Sequence, residues 1–214
     1  GNNTQEVVNN IRHNDLTGID GILSVVPYYN KPTQRGIFQH FKTIATCSPL
    51  PVIMYNIPGR TSCNMTAETC LELAHECENI TGIKESSGDM GQIMKIIKGK
   101  PETFVVISGD DLLSIPIISL GGTGVISVLA NAFPAQCSEM INHALKGNFK
   151  SARDIQFRFI ELTDLLFTEG NPSGIKATLS ILNICQNTLR LPLVPVSRPI
   201  LAKIQKAIEE VNKN

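Results

Sequence analysis

The chain alternates short apolar runs with longer stretches in which apolar positions recur every three or four residues. Runs at residues 21–26, 51–55, 80–84, 104–108 and 125–129 are rich in Val and Ile, with little polar alternation. That pattern predicts strands of a parallel sheet covered on both faces. Between them lie helical patterns. One helix is predicted from a capping Thr4 to about residue 11. Phe38, Phe41 and Ile44 mark the face of a second. Thr66 caps a third that runs to about Cys77, with Leu71 and Leu73 inward. Ile93, Met94 and Ile97 mark a fourth, and Cys137, Met140, Ile141 and Ala144 a fifth. Successive strands are spaced by roughly 20 to 30 residues, the length of a βαβ unit.

From residue 150 onward the pattern is helical throughout. Ile155, Phe159, Leu162 and Leu166 form one stripe. Asn171-Pro172 reads as an N-cap followed by proline at the first helical position, opening a helix to about residue 184. Ser197 caps a last helix with Ile200, Ile204, Ala207 and Val211 inward. The predicted class is therefore α/β with a parallel sheet, followed by helices. An open doubly wound sheet and a (β/α)8 barrel both fit. Doubly wound cofactor binders carry a glycine-rich loop after the first strand, whereas Gly121-Gly122-Thr123-Gly124 precedes a strand.

Composition narrows the partners. The 214 residues are 42% hydrophobic, and 19 basic residues balance 19 acidic ones. No basic stripe with interleaved aromatics is present, which argues against nucleic acid. No apolar stretch approaches the roughly 20 residues of a membrane span. No secretory signal opens the chain, so the expected location is cytoplasmic. The 6 cysteines include no CxxC pair. Cys70 and Cys77 lie seven apart, about 10 Å along a helix, too far to share one zinc. They read as reduced thiols, with no metal site expected.

The candidate chemistry gathers at strand ends. Lys84 closes the run Ile80-Thr81-Gly82-Ile83-Lys84 and is followed by Glu85-Ser86-Ser87-Gly88-Asp89. A lysine placed there has an apolar stem and an amine at a cavity mouth. Desolvation disfavours the ammonium, and a neutral amine can condense with a ketone to a Schiff base. Tyr55 ends another run and can carry protons to and from a carbonyl oxygen. Arg60, in the loop Ile57-Pro58-Gly59-Arg60-Thr61, offers a planar fork for a carboxylate. A third loop, Pro27-Tyr28-Tyr29-Asn30-Lys31-Pro32-Thr33, holds the other 2 of only 3 tyrosines. A lysine capping a strand, a Pro-Gly turn and tyrosines used for packing are the alternatives that spacing alone leaves open. Tyr29, Tyr55, Arg60 and Lys84 all fall at or just past strand carboxyl ends, where barrel active sites are built.

These residues carry a resemblance. Tyr28-Tyr29-Asn30-Lys31-Pro32-Thr33, Tyr55-Asn56-Ile57-Pro58-Gly59-Arg60-Thr61, Gly82-Ile83-Lys84-Glu85-Ser86-Ser87-Gly88-Asp89, Ser108-Gly109-Asp110-Asp111 and Gly124-Val125-Ile126-Ser127-Val128-Leu129-Ala130-Asn131 stand in that order. They resemble successive motifs of the dihydrodipicolinate synthase / N-acetylneuraminate lyase family, and the likeness runs through essentially the whole chain. It implies a (β/α)8 barrel with a C-terminal helical extension, residues 1–149 being the barrel part from its third to its eighth helix and 150–214 the extension. It also implies that Lys84 forms a Schiff base with pyruvate, whose enamine adds to L-aspartate-4-semialdehyde. The product would be 4-hydroxy-tetrahydrodipicolinate, on the diaminopimelate route to lysine, with no cofactor beyond the covalent Schiff base. Tyr55 would relay protons, and Tyr29 would reach a neighbouring subunit's relay in a homo-oligomer built as a dimer of dimers. Arg60 would hold the semialdehyde carboxylate, and Gly109 and Ile126 would line the pyruvate pocket. Asn2, Glu6 and Tyr28 fall on positions that bind feedback lysine in sensitive members.

Arg60 favours the synthase branch over sialic acid lyases or keto-deoxy-sugar-acid aldolases, since a site built around an arginine disfavours an acceptor lacking a carboxylate. The sequence departs from the family at its start: it begins in the loop after the third barrel strand. It lacks the glycine–threonine–threonine–glycine–glutamate loop that supplies the relay threonine. A barrel of this type takes ~250 residues, so an N-terminally truncated barrel with five of eight strands and impaired turnover is expected. A non-catalytic remnant that binds a keto acid or assembles with a partner is the alternative.

Overall fold

The computed structural model describes residues 1–211 and 213. In chain order the regular elements begin with α1 (Thr4–His13), β1 (Ile22–Val25), α2 (Gln34–Cys47), β2 (Val52–Asn56), α3 (Pro58–Thr61), α4 (Ala67–Glu76), β3 (Ile80–Glu85) and α5 (Met90–Gly99). They continue with β4 (Val105–Ser108), α6 (Ser114–Ser119), β5 (Gly124–Val125), α7 (Pro134–Leu145), α8 (Phe149–Thr168), α9 (Ser173–Ile181) and α10 (Arg198–Val211). The five strands form one parallel sheet in sequence order, β1-β2-β3-β4-β5. The α/β class and the parallel sheet match expectation. Among the described residues no helix is long and apolar enough to cross a membrane.

The chain divides into two compact units. The first is residues 1–110 with 116–126 and contains the sheet. The second is residues 111–115 with 127–214. In the first, one sheet face is covered by helices. Val52, Met54, Ile83 and Val106 are fully buried on it, with Ile37, Phe41 and Ile44 of α2, Leu73 of α4, and Ile93 and Ile96 of α5. Burying one such side chain contributes roughly 1.5–3 kcal/mol. Asn79 ties the α2–β2 connection down by donating from Nδ2 to the carbonyls of Ala45, Ser48 and Leu50 at 3.0–3.1 Å.

The other sheet face corrects the expectation of cover on both sides. It carries Val25, Tyr55, Lys84 and Ile107 side by side in register, all half-buried, with Leu23 46% exposed a row below. An unbroken Val/Ile run does not say what covers its second face. The fifth strand is also shorter than predicted, and Leu129 lies in a 3-10 turn over Leu129–Asn131. Asp111 causes this: its carboxylate accepts from the N–H groups of Val128 and Leu129 and from the Ser127 hydroxyl, pulling the backbone out of strand geometry.

Two helix starts are corrected as well. Asn3, not Thr4, is the N-cap of α1, its Oδ1 accepting from Gln5 and Glu6 N–H, while Thr4 Oγ1 pairs with His40 Nδ1 at 2.9 Å. Pro172, not Asn171, sits at the cap of α9, which ends at Ile181 rather than near 184. The stripes of α8 and α10 are buried as predicted, with Ala152 and Thr163 added to the first and Ile208 to the second.

Candidate active site

The site is built by strand register. In parallel strands, residues paired in register point to the same face. Tyr55 pairs with Lys84 across β2 and β3, and Lys84 with Ile107 across β3 and β4. Lys84 Nζ sits 4.3 Å from the centroid of the Tyr55 ring. The predicted nucleophile and the predicted proton carrier are thus neighbours at the carboxyl end of the sheet. A cleft of about 330 Å³ between α1 and β1, lined by Val7, Ile11, Leu23 and Val25, reaches Tyr55.

Gly109 follows β4 and faces Lys84. A Cβ at this position would overlap the Ser86 hydroxyl and stand 2.7 Å from Lys84 Cε. A larger residue here would push the Ser86 hydroxyl and the lysine stem aside. Its N–H donates to Glu85 O at 2.9 Å, extending the β3–β4 ladder by one bond. Ile126 lies just past β5, its N–H bonded to Ser108 O and its side chain 39% exposed.

The face opposite Lys84 holds a network that sequence reasoning missed. Glu85 and Asn56 pair in register and are both fully buried. Asn56 Nδ2 donates to both Glu85 carboxylate oxygens at 3.2 Å, and its Oδ1 accepts from Met65 N–H at 3.0 Å. Gln92 Nε2 on α5 donates to Glu85 Oε2, and Ser87 N–H donates to Oε1 at 2.7 Å. Burial pushes the Glu85 carboxyl above its ordinary range, against the downward pull of the hydrogen bonds from Ser87, Asn56 and Gln92. The network clamps the ends of β2 and β3 and the start of α5, which fixes the residues one step back on each strand, Tyr55 and Lys84. The signal was in the sequence: alternation in β3 puts Glu85 on the buried face, and a buried carboxylate demands partners.

The other predicted residues lie outward. Arg60 is exposed in the last turn of α3. Tyr29 is 88% exposed with φ 74°, a left-handed backbone unusual for a residue with a Cβ, and Tyr28 is 43% exposed. Asn2 is held to this loop: its Nδ2 donates to Tyr28 O at 3.2 Å, and Asn30 Nδ2 donates to Asn2 O at 2.9 Å. Glu6 is exposed in the first turn of α1. Among the described residues no group of three or more His, Cys, Asp or Glu is arranged to hold a metal ion. All 6 cysteines are free, with Cys70, Cys77 and Cys137 buried and the others half-buried.

The fold and site are those of an α/β protein that brings a lysine and a tyrosine into contact at the carboxyl ends of parallel strands. The chain belongs to the dihydrodipicolinate synthetase family, whose model matches residues 1–211, and is an enzyme of that family. It is 54% identical over 208 residues to the 4-hydroxy-tetrahydrodipicolinate synthase of Azobacteroides pseudotrichonymphae genomovar. CFP2, covering 97% of this chain and 70% of that one. It is similar to the crystal structure of dihydrodipicolinate synthase from Aquifex aeolicus, with TM-score 0.96 and 44% identity over 99% of this chain and 72% of that one. A lysine-bound relative from Cyanidioschyzon merolae is matched with TM-score 0.94 and 40% identity, again covering 99% and 72%.

Proposed function

We propose that the chain condenses pyruvate with L-aspartate-4-semialdehyde through a Schiff base on Lys84, giving 4-hydroxy-tetrahydrodipicolinate on the diaminopimelate route to lysine. The observation that carries this reading is Lys84 Nζ lying 4.3 Å from the Tyr55 ring at the carboxyl ends of paired strands. Lys84 adds to the pyruvate ketone, water leaves, and a methyl proton is lost to give an enamine. The enamine carbon attacks the aldehyde, and the product cyclises as the lysine is released. Tyr55 moves protons and orients pyruvate, and Gly109 and Ile126 border the pyruvate pocket. Arg60, at the exposed end of α3, takes the semialdehyde carboxylate as a bidentate partner.

The five strands, each beside its neighbour in sequence, are read as consecutive strands of a (β/α)8 barrel. Tyr29, held outward, serves a neighbouring subunit of a homo-oligomer. Asn2, Tyr28 and Glu6 form a lysine-binding position, supported by the Asn2–Tyr28 hydrogen bond.

The test is discharge of a preformed adduct. Protein loaded with pyruvate is mixed with an aldehyde and quenched with borohydride at intervals. Aspartate semialdehyde is expected to remove the trappable adduct, and N-acetylmannosamine to leave it. The reverse preference would favour an aldolase. Arg60→Ala is expected to slow discharge by semialdehyde about tenfold or more while leaving adduct formation intact.

A further inference from the structure

Ser86 follows Lys84 by two residues, so it leaves β3 on the lysine's side of the sheet. Its N–H is held by Asn56 O at 2.9 Å. The next serine is fully employed: Ser87 N–H donates to Glu85 Oε1, and Ser87 Oγ accepts from Asp89 N–H at 3.2 Å. Ser86 Oγ, by contrast, is buried and makes no hydrogen bond among the described residues. Gly109 defines its surroundings. A Cβ at 109 would overlap Ser86 Oγ and lie 2.7 Å from Lys84 Cε and 3.1 Å from Lys84 Cγ. The hydroxyl and the lysine stem therefore converge on the space that a side chain at 109 would fill.

Buried hydroxyls in folded proteins are hydrogen-bonded, and an exception at a functional site calls for a partner. Ser86 Oγ is buried beside the Lys84 stem rather than turned to bulk solvent. The Lys84 stem runs beside it, so a group bonded to the Lys84 amine is the partner that the geometry points to. We propose that Ser86 is a further catalytic residue, whose hydroxyl hydrogen-bonds the keto oxygen of the substrate as it becomes attached to Lys84; this rests on the Schiff-base reading above. The nitrogen lone pair forms the C–N bond while the carbonyl π pair moves onto oxygen. Nitrogen gives up one proton and oxygen gains one, leaving a neutral carbinolamine. Ser86 donates a hydrogen bond to that oxygen as its charge develops and keeps its own proton throughout. The carbinolamine hydroxyl then takes a proton from solvent and departs as water, leaving the iminium.

The experiment times the capture of pyruvate on the full chain by borohydride quench and intact mass, for wild type, Ser86→Ala and Ser86→Thr, with thermal melting as the check on fold. Ser86→Ala is expected to form the Lys84 adduct about tenfold more slowly or worse, at an unchanged melting temperature. Ser86→Thr, which keeps the hydroxyl, is expected to recover most of the rate. Should Ser86→Ala fail to fold, Ser86→Gly gives the same reading. A wild-type rate in a variant lacking the hydroxyl overturns the proposal and leaves the role of Lys84 standing. No adduct in folded wild-type protein overturns both.

Discussion

At the residue scale the site depends on two faces of the same strand ends. Lys84 and Tyr55 meet on one face because Glu85 and Asn56 are locked together on the other. Asn56→Ala leaves the Glu85 carboxylate and the Met65 N–H each short of a partner, and should cost roughly 1–3 kcal/mol. Urea denaturation reads that loss directly, and an unchanged midpoint would show that the network contributes nothing. Lys84 and Tyr55 were legible in the sequence because a lysine and a tyrosine ending apolar runs are conspicuous. Glu85 and Asn56 were passed over although strand alternation marks Glu85, because a polar residue beside a conspicuous one looks like part of the same loop until the strand is known to continue through it. The inward face of α5 was misread for a similar reason. Ile93 and Ile96 are buried while Met94 is 48% exposed, and three apolar residues crowded within one turn do not by themselves say which pair faces in.

At the element scale, close backbone approach decides where glycine is needed. A Cβ at Gly82 would overlap Val105 Cγ2 and lie 2.8 Å from Val105 O, in the ladder between β3 and β4. A Cβ at Gly174 would overlap Leu166 O and lie 2.6 Å from Leu166 Cα, where α9 crosses α8. Gly82→Ala and Gly174→Ala should each destabilise by roughly 1–3 kcal/mol through overpacking. Gly82→Ala should also lower adduct formation at Lys84, which shares its strand, whereas Gly174→Ala lies in the other compact unit and should not. Equal effects of the two on adduct formation would contradict the assignment of the site to the sheet. The order of strands and helices could be read from apolar periodicity alone. The early end of β5 could not, since it depends on Asp111, sixteen residues before Ser127, reaching the N–H groups of a turn.

At the scale of the whole molecule, two buried titrating groups set opposite pH trends in stability. Burial lowers the His40 pKa from 6.5 to about 4, and its Nε2 has no hydrogen-bond partner among the described residues. Its neutral form is the folded form, so this stability is complete above its ordinary pKa and is lost as pH falls toward 4. Glu85 is shifted upward, so its contribution is complete below the ordinary carboxylate range and is lost as pH rises through its raised value. His40→Leu should therefore shrink the fall in melting temperature between pH 6.5 and 4.5, measured by calorimetry. An unaltered slope would mean that His40 is not buried as a neutral ring. The chain's α/β class was legible from sequence, but the half-buried second face of the sheet was not, because burial on that side is a property of what else packs there. That face is where Lys84 and Tyr55 lie.

The most direct measurement is a peptide map of the folded chain after pyruvate and borohydride, compared with Lys84→Ala. A reduced pyruvate adduct on the peptide containing Lys84, absent from the variant, is the predicted result. An adduct spread over exposed lysines, or retained in Lys84→Ala, would contradict the assignment of Lys84 as the Schiff-base amine.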